Sequence, residues 1–231
     1  MTMTKSYKAA IFDMDGTILD TIGDLTDAIN HTMAHFGHRS DFTPEETKPF
    51  FCNGAKFAVS SALAAAQDLP QSQITAEALE EALVYYKPYY AAHSDIKTGP
   101  YPGIIECLQK LALAGVQTAV VSNKPDPAVQ KLCKVYFPDM FTCSLGEVEG
   151  VRRKPAPDML NLVLERLGLT AEEAVYVGDS EVDIETAANS GMDCICVDWG
   201  FRSRESLIES GAKTIVSSAE ELTAAILGQM L

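Results

Sequence analysis

Six short apolar runs, at residues 9–12, 118–121, 141–145, 175–177, 194–197 and 214–216, recur along the chain with helix-length amphipathic stretches between them. Strand and helix in alternation predict an α/β, Rossmann-like core: a parallel sheet with crossover helices on both faces. Gly115, Gly168, Gly191 and Gly211 each follow one of those stretches, at the position where a left-handed helix cap is wanted. About a hundred residues separate the first run from the second, far more than one crossover helix needs. That segment shows no strand pattern between residues 21 and 93. It carries Thr43-Pro44-Glu45-Glu46, a capping box with proline at the first helical position, and an alanine-rich stretch at 55–67. An inserted all-helical lobe is therefore expected, with hinges near Asp20 and at 97–103, where KTGPYPG interrupts any helix. The expected division is an α/β catalytic core of residues 1–18 and 97–231 and a helical cap of residues 19–96.

Composition excludes several classes. The 231 residues are 47% hydrophobic and 22% charged, ample chain for a buried core. No apolar run is long enough to span a bilayer and no basic-then-apolar leader precedes the first strand, so a soluble, cytoplasmic protein is expected. Six cysteines show no C-x-x-C pair and lie mostly in apolar runs, which favours buried free thiols over disulfides or a zinc site. Eighteen basic against 32 acidic residues leave a net charge of −14. Nucleic acids and anionic membranes both ask for a basic face, so neither is an expected partner. An anionic substrate has to be met by cations placed locally.

In open parallel sheets, ligands bind beyond the carboxyl ends of the strands, where strand order reverses. The first run ends in Asp13, the second in Ser122 and the fourth in Asp179, so three polar groups converge if those strands are neighbours. Gly16 lets the chain leave the strand direction, so that Asp13 and Asp15 can face one ligand. Asp183 follows Asp179 by one helical turn on the same face. Carboxylates packed this closely need a cation, and a hard, oxygen-ligated divalent ion suits them, magnesium being usual where phosphates are handled. A carboxylate can itself attack phosphorus while a neighbouring acid protonates the leaving oxygen. Ser122 and nearby backbone amides can bind phosphoryl oxygens, and Lys154 can neutralise their charge.

Taken singly, these residues have plainer readings. A D-x-D pair is commonly a loop or cap, Ser122 a turn residue outside any G-x-S-x-G setting, and Lys154 the residue before a helix that starts with proline. Asp179 and Ser180 can be N-caps. An EF-hand loop is excluded, because Gly16 stands at the fourth position instead of the sixth and a strand precedes it. Joint occurrence, in order and at successive strand ends, favours the site.

FDMDGTILDT, VVSNK, RRKPAPD and VGDSEVDIETAANSGM together resemble the four motifs of the haloacid dehalogenase-like phosphatase superfamily. The insertion after the first motif resembles its helical-cap subclass, and WGFRSRESLIESGAKTIVSSAEEL is similar to the C-terminal part of phosphoglycolate phosphatases and their near relatives. The resemblance implies a magnesium-dependent phosphatase that hydrolyses a small phosphorylated metabolite, 2-phosphoglycolate foremost, through an aspartyl-phosphate. It implies Asp13 as nucleophile and Asp15 as general acid, then as base for the hydrolytic water. Asp13, the Asp15 backbone carbonyl and Asp179 would bind Mg2+ with Asp183 in support, and Ser122, Asn123 and Lys154 would hold the phosphoryl group.

The chain departs from the family pattern at Ala156, where an acid is usual, and at KPFFCNG (48–54), where basic residues before a G-x-G turn are usual and Cys52 replaces a glycine. Lys48, Asn53 and Lys56 are the expected cap contacts to substrate, with solvated surface lysines as the plain alternative. The cap is expected to close over the crevice and exclude water. Arg202 and Arg204 are expected at the surface and Trp199 in packing. Other substrates (a sugar phosphate, nucleotide or pyrophosphate) and a phosphotransferase or mutase of the same superfamily are the alternatives. A receiver-type signalling domain is disfavoured by the acid at plus two and by the inserted lobe, and a non-catalytic scaffold by the retained Asp13, Asp15 and Asp179. The oligomeric state is not legible.

Overall fold

The computed structural model describes residues 5–51 and 53–229; Cys52 lies outside them. The chain divides into two compact units, one made of the stretch up to Leu19 with everything from Pro100 onward, the other of Asp20–Gly99. In chain order, β1 (Ala9–Phe12) and β2 (Leu19–Asp20) lead into α1 (Ile22–His35), α2 (Pro44–Thr47), α3 (Gly54–Gln67) and α4 (Ala76–His93). After β3 (Gly99–Pro100) come α5 (Ile104–Leu113), β4 (Gln117–Pro125), α6 (Asp126–Tyr136), β5 (Cys143–Glu147), α7 (Asp158–Leu167) and β6 (Ala174–Gly178). The chain closes with α8 (Glu181–Ser190), β7 (Asp193–Val197), α9 (Arg204–Glu209), β8 (Ile215–Val216) and α10 (Ala219–Leu227).

The six-stranded sheet runs β5-β4-β1-β6-β7-β8 with every neighbouring pair parallel. Side chains alternate between its faces. Phe12, Val120, Val177 and Ile195 pack with residues of α5, α6 and α10, while Ile11, Val121 and Tyr176 pack with those of α7 and α8. Both faces are covered, which is why the strand segments read as unbroken apolar runs. β1 lies between β4 and β6, so the ends of the three strands that finish near Asp13, Ser122 and Asp179 are neighbours. β4 extends past the predicted end to Pro125, and its register against β5 shifts between Val121 and Pro125; this irregularity bends the strand end that carries Ser122, Asn123 and Lys124. The four predicted glycine stops all adopt positive φ.

In the helical unit, a column of rings joins α1 to α4. His31 stacks on Tyr89 with ring centroids 3.7 Å apart, His35 on Tyr85 at 3.9 Å, and His93 on Tyr89 at 4.1 Å. The expected capping box forms between Thr43 and Glu46. Asp24, buried in the first turn of α1, accepts hydrogen bonds from the backbone N–H groups of Ile96 (3.0 Å), Lys97 (2.9 Å) and Thr98 (3.0 Å) and from the Thr98 hydroxyl (2.8 Å). One carboxylate thus ties the two ends of the inserted segment together. Asp24→Ala leaves those donors without their acceptor and is expected to destabilise the fold by about 2–4 kcal/mol. Denaturant unfolding checks this, with Asp24→Asn intermediate. No helix among the described residues is long and apolar enough to cross a membrane.

Candidate active site

Asp13 follows β1 directly, and its backbone N–H still donates to the Val177 carbonyl at 2.8 Å, so the strand ladder delivers its carboxylate to the sheet's carboxyl edge. There Asp13 Oδ1 lies 2.8 Å from Lys154 Nζ, and the same ammonium lies 2.8 Å from Asp183 Oδ1 and 3.0 Å from the Tyr176 hydroxyl. Asn123 fixes the lysine's backbone: its Oδ1 accepts from Lys154 N at 2.9 Å and its Nδ2 donates to Lys154 O at 3.1 Å. Ser122 is buried, and its Oγ accepts from the Lys124 backbone N–H at 3.2 Å. Asp15 is paired by a second buried lysine, with Lys124 Nζ 3.1 Å from its Oδ1.

Asp179 sits at the end of β6, facing two glycines. Gly16 takes φ +80°, and a Cβ on either Gly16 or Gly200 would overlap the Asp179 side chain, so the loop after β1 can lie against this carboxylate only without side chains there. Asp179 Oδ2 accepts from Phe201 N at 2.7 Å and Oδ1 from the Thr17 hydroxyl at 3.3 Å. Asp183 is bound more completely. It caps α8, with Oδ2 accepting from Asp179 N (3.2 Å), Ser180 N (3.1 Å) and Ser180 Oγ (2.6 Å), while Oδ1 accepts from Lys154 and Tyr176.

Asp13, Asp179 and Asp183 place carboxylate oxygens within 4.8 Å of one another, all buried. Burial pushes the Asp13 carboxyl up to about 7; Lys154 opposes the shift, while Asp183 and Asp15 add to it. Burial, then the charges of Asp183 and Asp13, hold Asp179 well above the usual carboxylate range. Burial alone would pull the Lys154 ammonium down, but Asp13 and Asp183 hold it well above its ordinary value. Three buried carboxylates around one ammonium are short of positive charge, which a divalent cation would supply. The donors are all hard oxygens, which fits magnesium and not a soft ion.

The core unit thus brings together Asp13, Asp15, Ser122, Asn123, Lys154, Asp179 and Asp183. Lys48, Asn53 and Lys56 belong to the helical unit: Lys48 pairs with Glu45 at 2.8 Å, Asn53 starts α3 without a side-chain cap bond, and Lys56 is exposed. Arg202 forms a two-pronged pair with Glu181 (2.8 and 3.0 Å), and Arg204 pairs with Asp198 at 2.7 Å. Trp199 donates to the Thr17 carbonyl at 3.1 Å beside the Tyr101 ring. Sequence reasoning passed over Lys124 and Tyr176. Lys124 carried a signal, a cation directly after the polar pair that ends an apolar strand; Tyr176 carried none, because inside an apolar run it reads as core.

The family model for haloacid dehalogenase-like hydrolases matches residues 10–197. This chain belongs to that family. The hydrolase is 30% identical over 220 residues to phosphoglycolate phosphatase 1 of Pseudomonas aeruginosa, covering 95% of this chain and 79% of the relative. Against the phosphoglycolate phosphatase of Rhodospirillum rubrum it is 33% identical, covering 90% and 86%. Among solved structures, a candidate phosphoglycolate phosphatase from Lactobacillus delbrueckii subsp. bulgaricus matches this hydrolase with a TM-score of 0.95 at 48% identity, covering 97% of this chain and 100% of that one. Magnesium-dependent chemistry through an aspartyl-phosphate is general among phosphatases of the family.

Proposed function

We propose that this hydrolase removes phosphate from a small phosphate monoester, 2-phosphoglycolate foremost, with magnesium and through an aspartyl-phosphate on Asp13. The observation that carries the reading is the Asp13 carboxylate at the strand end, 2.8 Å from the Lys154 ammonium and grouped with Asp179 and Asp183. Relatives at 30% and 33% identity that bear the name phosphoglycolate phosphatase support the substrate. The net charge of −14 supports a small metabolite over nucleic acid or an anionic membrane as partner, and the reading implies a cytoplasmic enzyme.

In this reading residues 1–18 and 97–231 form the catalytic core and residues 19–96 the cap. An Asp13 carboxylate oxygen attacks phosphorus as the ester P–O bond breaks, and protonated Asp15 gives its proton to the departing alkoxide oxygen. Asp15, now ionised, takes a proton from water as that water's oxygen attacks the aspartyl-phosphate. The P–O bond to Asp13 breaks, the carboxylate is restored and inorganic phosphate leaves. Lys154 and Ser122 face the phosphoryl oxygens, and Asn123 acts by holding the Lys154 backbone. Lys124 keeps Asp15 in place. Asp13, the Asp15 carbonyl and Asp179 would hold magnesium, which when bound would draw negative charge off the phosphoryl group. Asp183, its oxygens already engaged by protein donors, steadies that set. Discrimination among phosphate monoesters is assigned to Lys48, Asn53 and Lys56.

Phosphate release from a panel of monoesters tests the proposal, and release from 2-phosphoglycolate is expected to exceed that from sugar phosphates, nucleotides and pyrophosphate. A preference for one of the others would keep the mechanism and overturn the substrate. Isomerisation of a sugar phosphate without net phosphate release would overturn hydrolysis. Metal binding has its own readout: magnesium at about a hundred times its Kd is expected to stabilise the fold by about 2.7 kcal/mol, seen as a higher Tm than in chelator. Asp179→Asn is expected to lose most of that shift.

A further inference from the structure

Trp199 lies half-buried against the core beside the Tyr101 ring, with centroids 6.3 Å apart. Packing of that kind asks nothing of an indole N–H. This one donates to the Thr17 carbonyl at 3.1 Å, and the two residues that follow it reach the candidate site as well. Gly200 leaves no room for a Cβ against the Asp179 side chain or the Gly16 carbonyl, and Phe201 N donates to Asp179 Oδ2 at 2.7 Å. We propose, on the reading in which Asp13, the Asp15 carbonyl and Asp179 hold magnesium, that Trp199 is a positioning residue for that set: its indole N–H holds the turn that presents the Asp15 carbonyl.

Strand order explains how a residue after β7 comes to hold a turn after β1. β6 lies between them, so β7 and β1 are about 10 Å apart, two strand spacings, and the segment 199–201 bridges the end of β6 to touch both Asp179 and Thr17. Thr17 is buried and gripped twice, since its hydroxyl donates to Asp179 Oδ1 at 3.3 Å while its carbonyl accepts from the indole. Within the turn, the Met14 carbonyl accepts from Ile18 N at 3.1 Å and Leu19 N at 3.0 Å, and Gly16 N donates to the Leu19 carbonyl at 2.9 Å. Those bonds shape the turn internally, whereas the indole and the Thr17 hydroxyl tie it to residues that follow β7 and β6.

Groups that orient metal ligands from outside the ligand set are commonly worth about 10- to 100-fold in affinity. A carboxylate can turn either oxygen toward an ion, but a backbone carbonyl points where its planar peptide points. Of the three ligands, the Asp15 carbonyl is therefore the one most sensitive to a loosened turn.

The chain has one tryptophan, so a test can be confined to a single N–H. Expression with β-(3-benzothienyl)alanine in place of tryptophan exchanges that N–H for sulfur and keeps the bicyclic ring. Magnesium is titrated by calorimetry into the full-length wild type, the sulfur isostere, Trp199→Phe and Asp179→Asn, and the magnesium dependence of turnover is followed alongside. The isostere is expected to bind magnesium about 10-fold more weakly, with kcat at saturating magnesium within about threefold of wild type. Its Tm in chelator is expected to fall by no more than about 4 °C, the effect of one hydrogen bond. Trp199→Phe is expected to weaken magnesium at least as much, and it decides the matter should the isostere not be incorporated. Wild-type magnesium affinity in these variants overturns the role of Trp199, including the case in which only the Tm in chelator falls, as a purely structural contact would have it. Asp179→Asn separates that failure from failure of the ligand set: if wild type takes up no magnesium, or Asp179→Asn binds it as tightly as wild type, the set itself is wrong and the role of Trp199 falls with it.

Discussion

Asp13→Asn is expected to cut phosphate release by at least about 1,000-fold, roughly 4 kcal/mol of barrier, because the amide cannot form the acyl phosphate. The same variant is expected to unfold in chelator at a temperature no lower than wild type. Burial raises the folded Asp13 carboxyl from 3.8 to about 7, so its neutral form favours folding; that contribution is complete below the unfolded value and is lost as pH rises through about 7. Asparagine is neutral throughout and keeps it at pH 8, and Lys154 retains Asp183 as partner. Steady-state kinetics with magnesium and thermal unfolding without it make the pair of measurements. Turnover near the wild-type rate would sink the aspartyl-phosphate mechanism. A marked fall in Tm would show that the Asp13 charge supports the fold.

Lys154→Met carries the largest expected loss of stability. The ammonium touches Asp13 and Asp183 at 2.8 Å each, and its removal leaves buried carboxylates without their counter-charge. Stranding buried charge costs about 3–5 kcal/mol, which for a chain of this size lowers Tm by roughly 10 °C. Turnover is expected to fall by about 100-fold or more, since the proposed mechanism has this preorganised cation face the phosphoryl oxygens. Magnesium separates the two effects. It restores part of the missing positive charge, and with it part of the Tm, but it does not restore a donor at the position of Nζ. Activity within tenfold of wild type would remove Lys154 from the phosphoryl site, whatever the Tm does.

Much of the candidate site was legible because its residues stand at the ends of apolar runs, where a strand has to stop and its last side chain faces the sheet's carboxyl edge. Asp13, Ser122 and Asp179 were found that way, and Asp183 by its one-turn spacing. Asn123 was expected at the phosphoryl group; in the structure both ends of its amide bond the Lys154 backbone. Tyr176 stayed hidden because an aromatic residue within a strand run has the same local signature whether it only packs or also braces a lysine.

The sequence alone determined the elements whose causes are local. Apolar runs become strands, glycines end helices through their left-handed backbone, Thr43 and Glu46 close a capping box, and a hundred residues without strand pattern become a helical unit, because each depends on neighbours within a few positions. Tertiary structure alone decided the partners. The place of β1 between β4 and β6, the reach of Lys154 to Asp183 across 29 residues and the clasp of Asp24 on Ile96 across 72 follow from how two helical layers pack on one sheet and how an insertion closes on itself. Residue type sets what a side chain can bind, but which group it meets depends on strand order and burial, and those are settled only when the whole core packs.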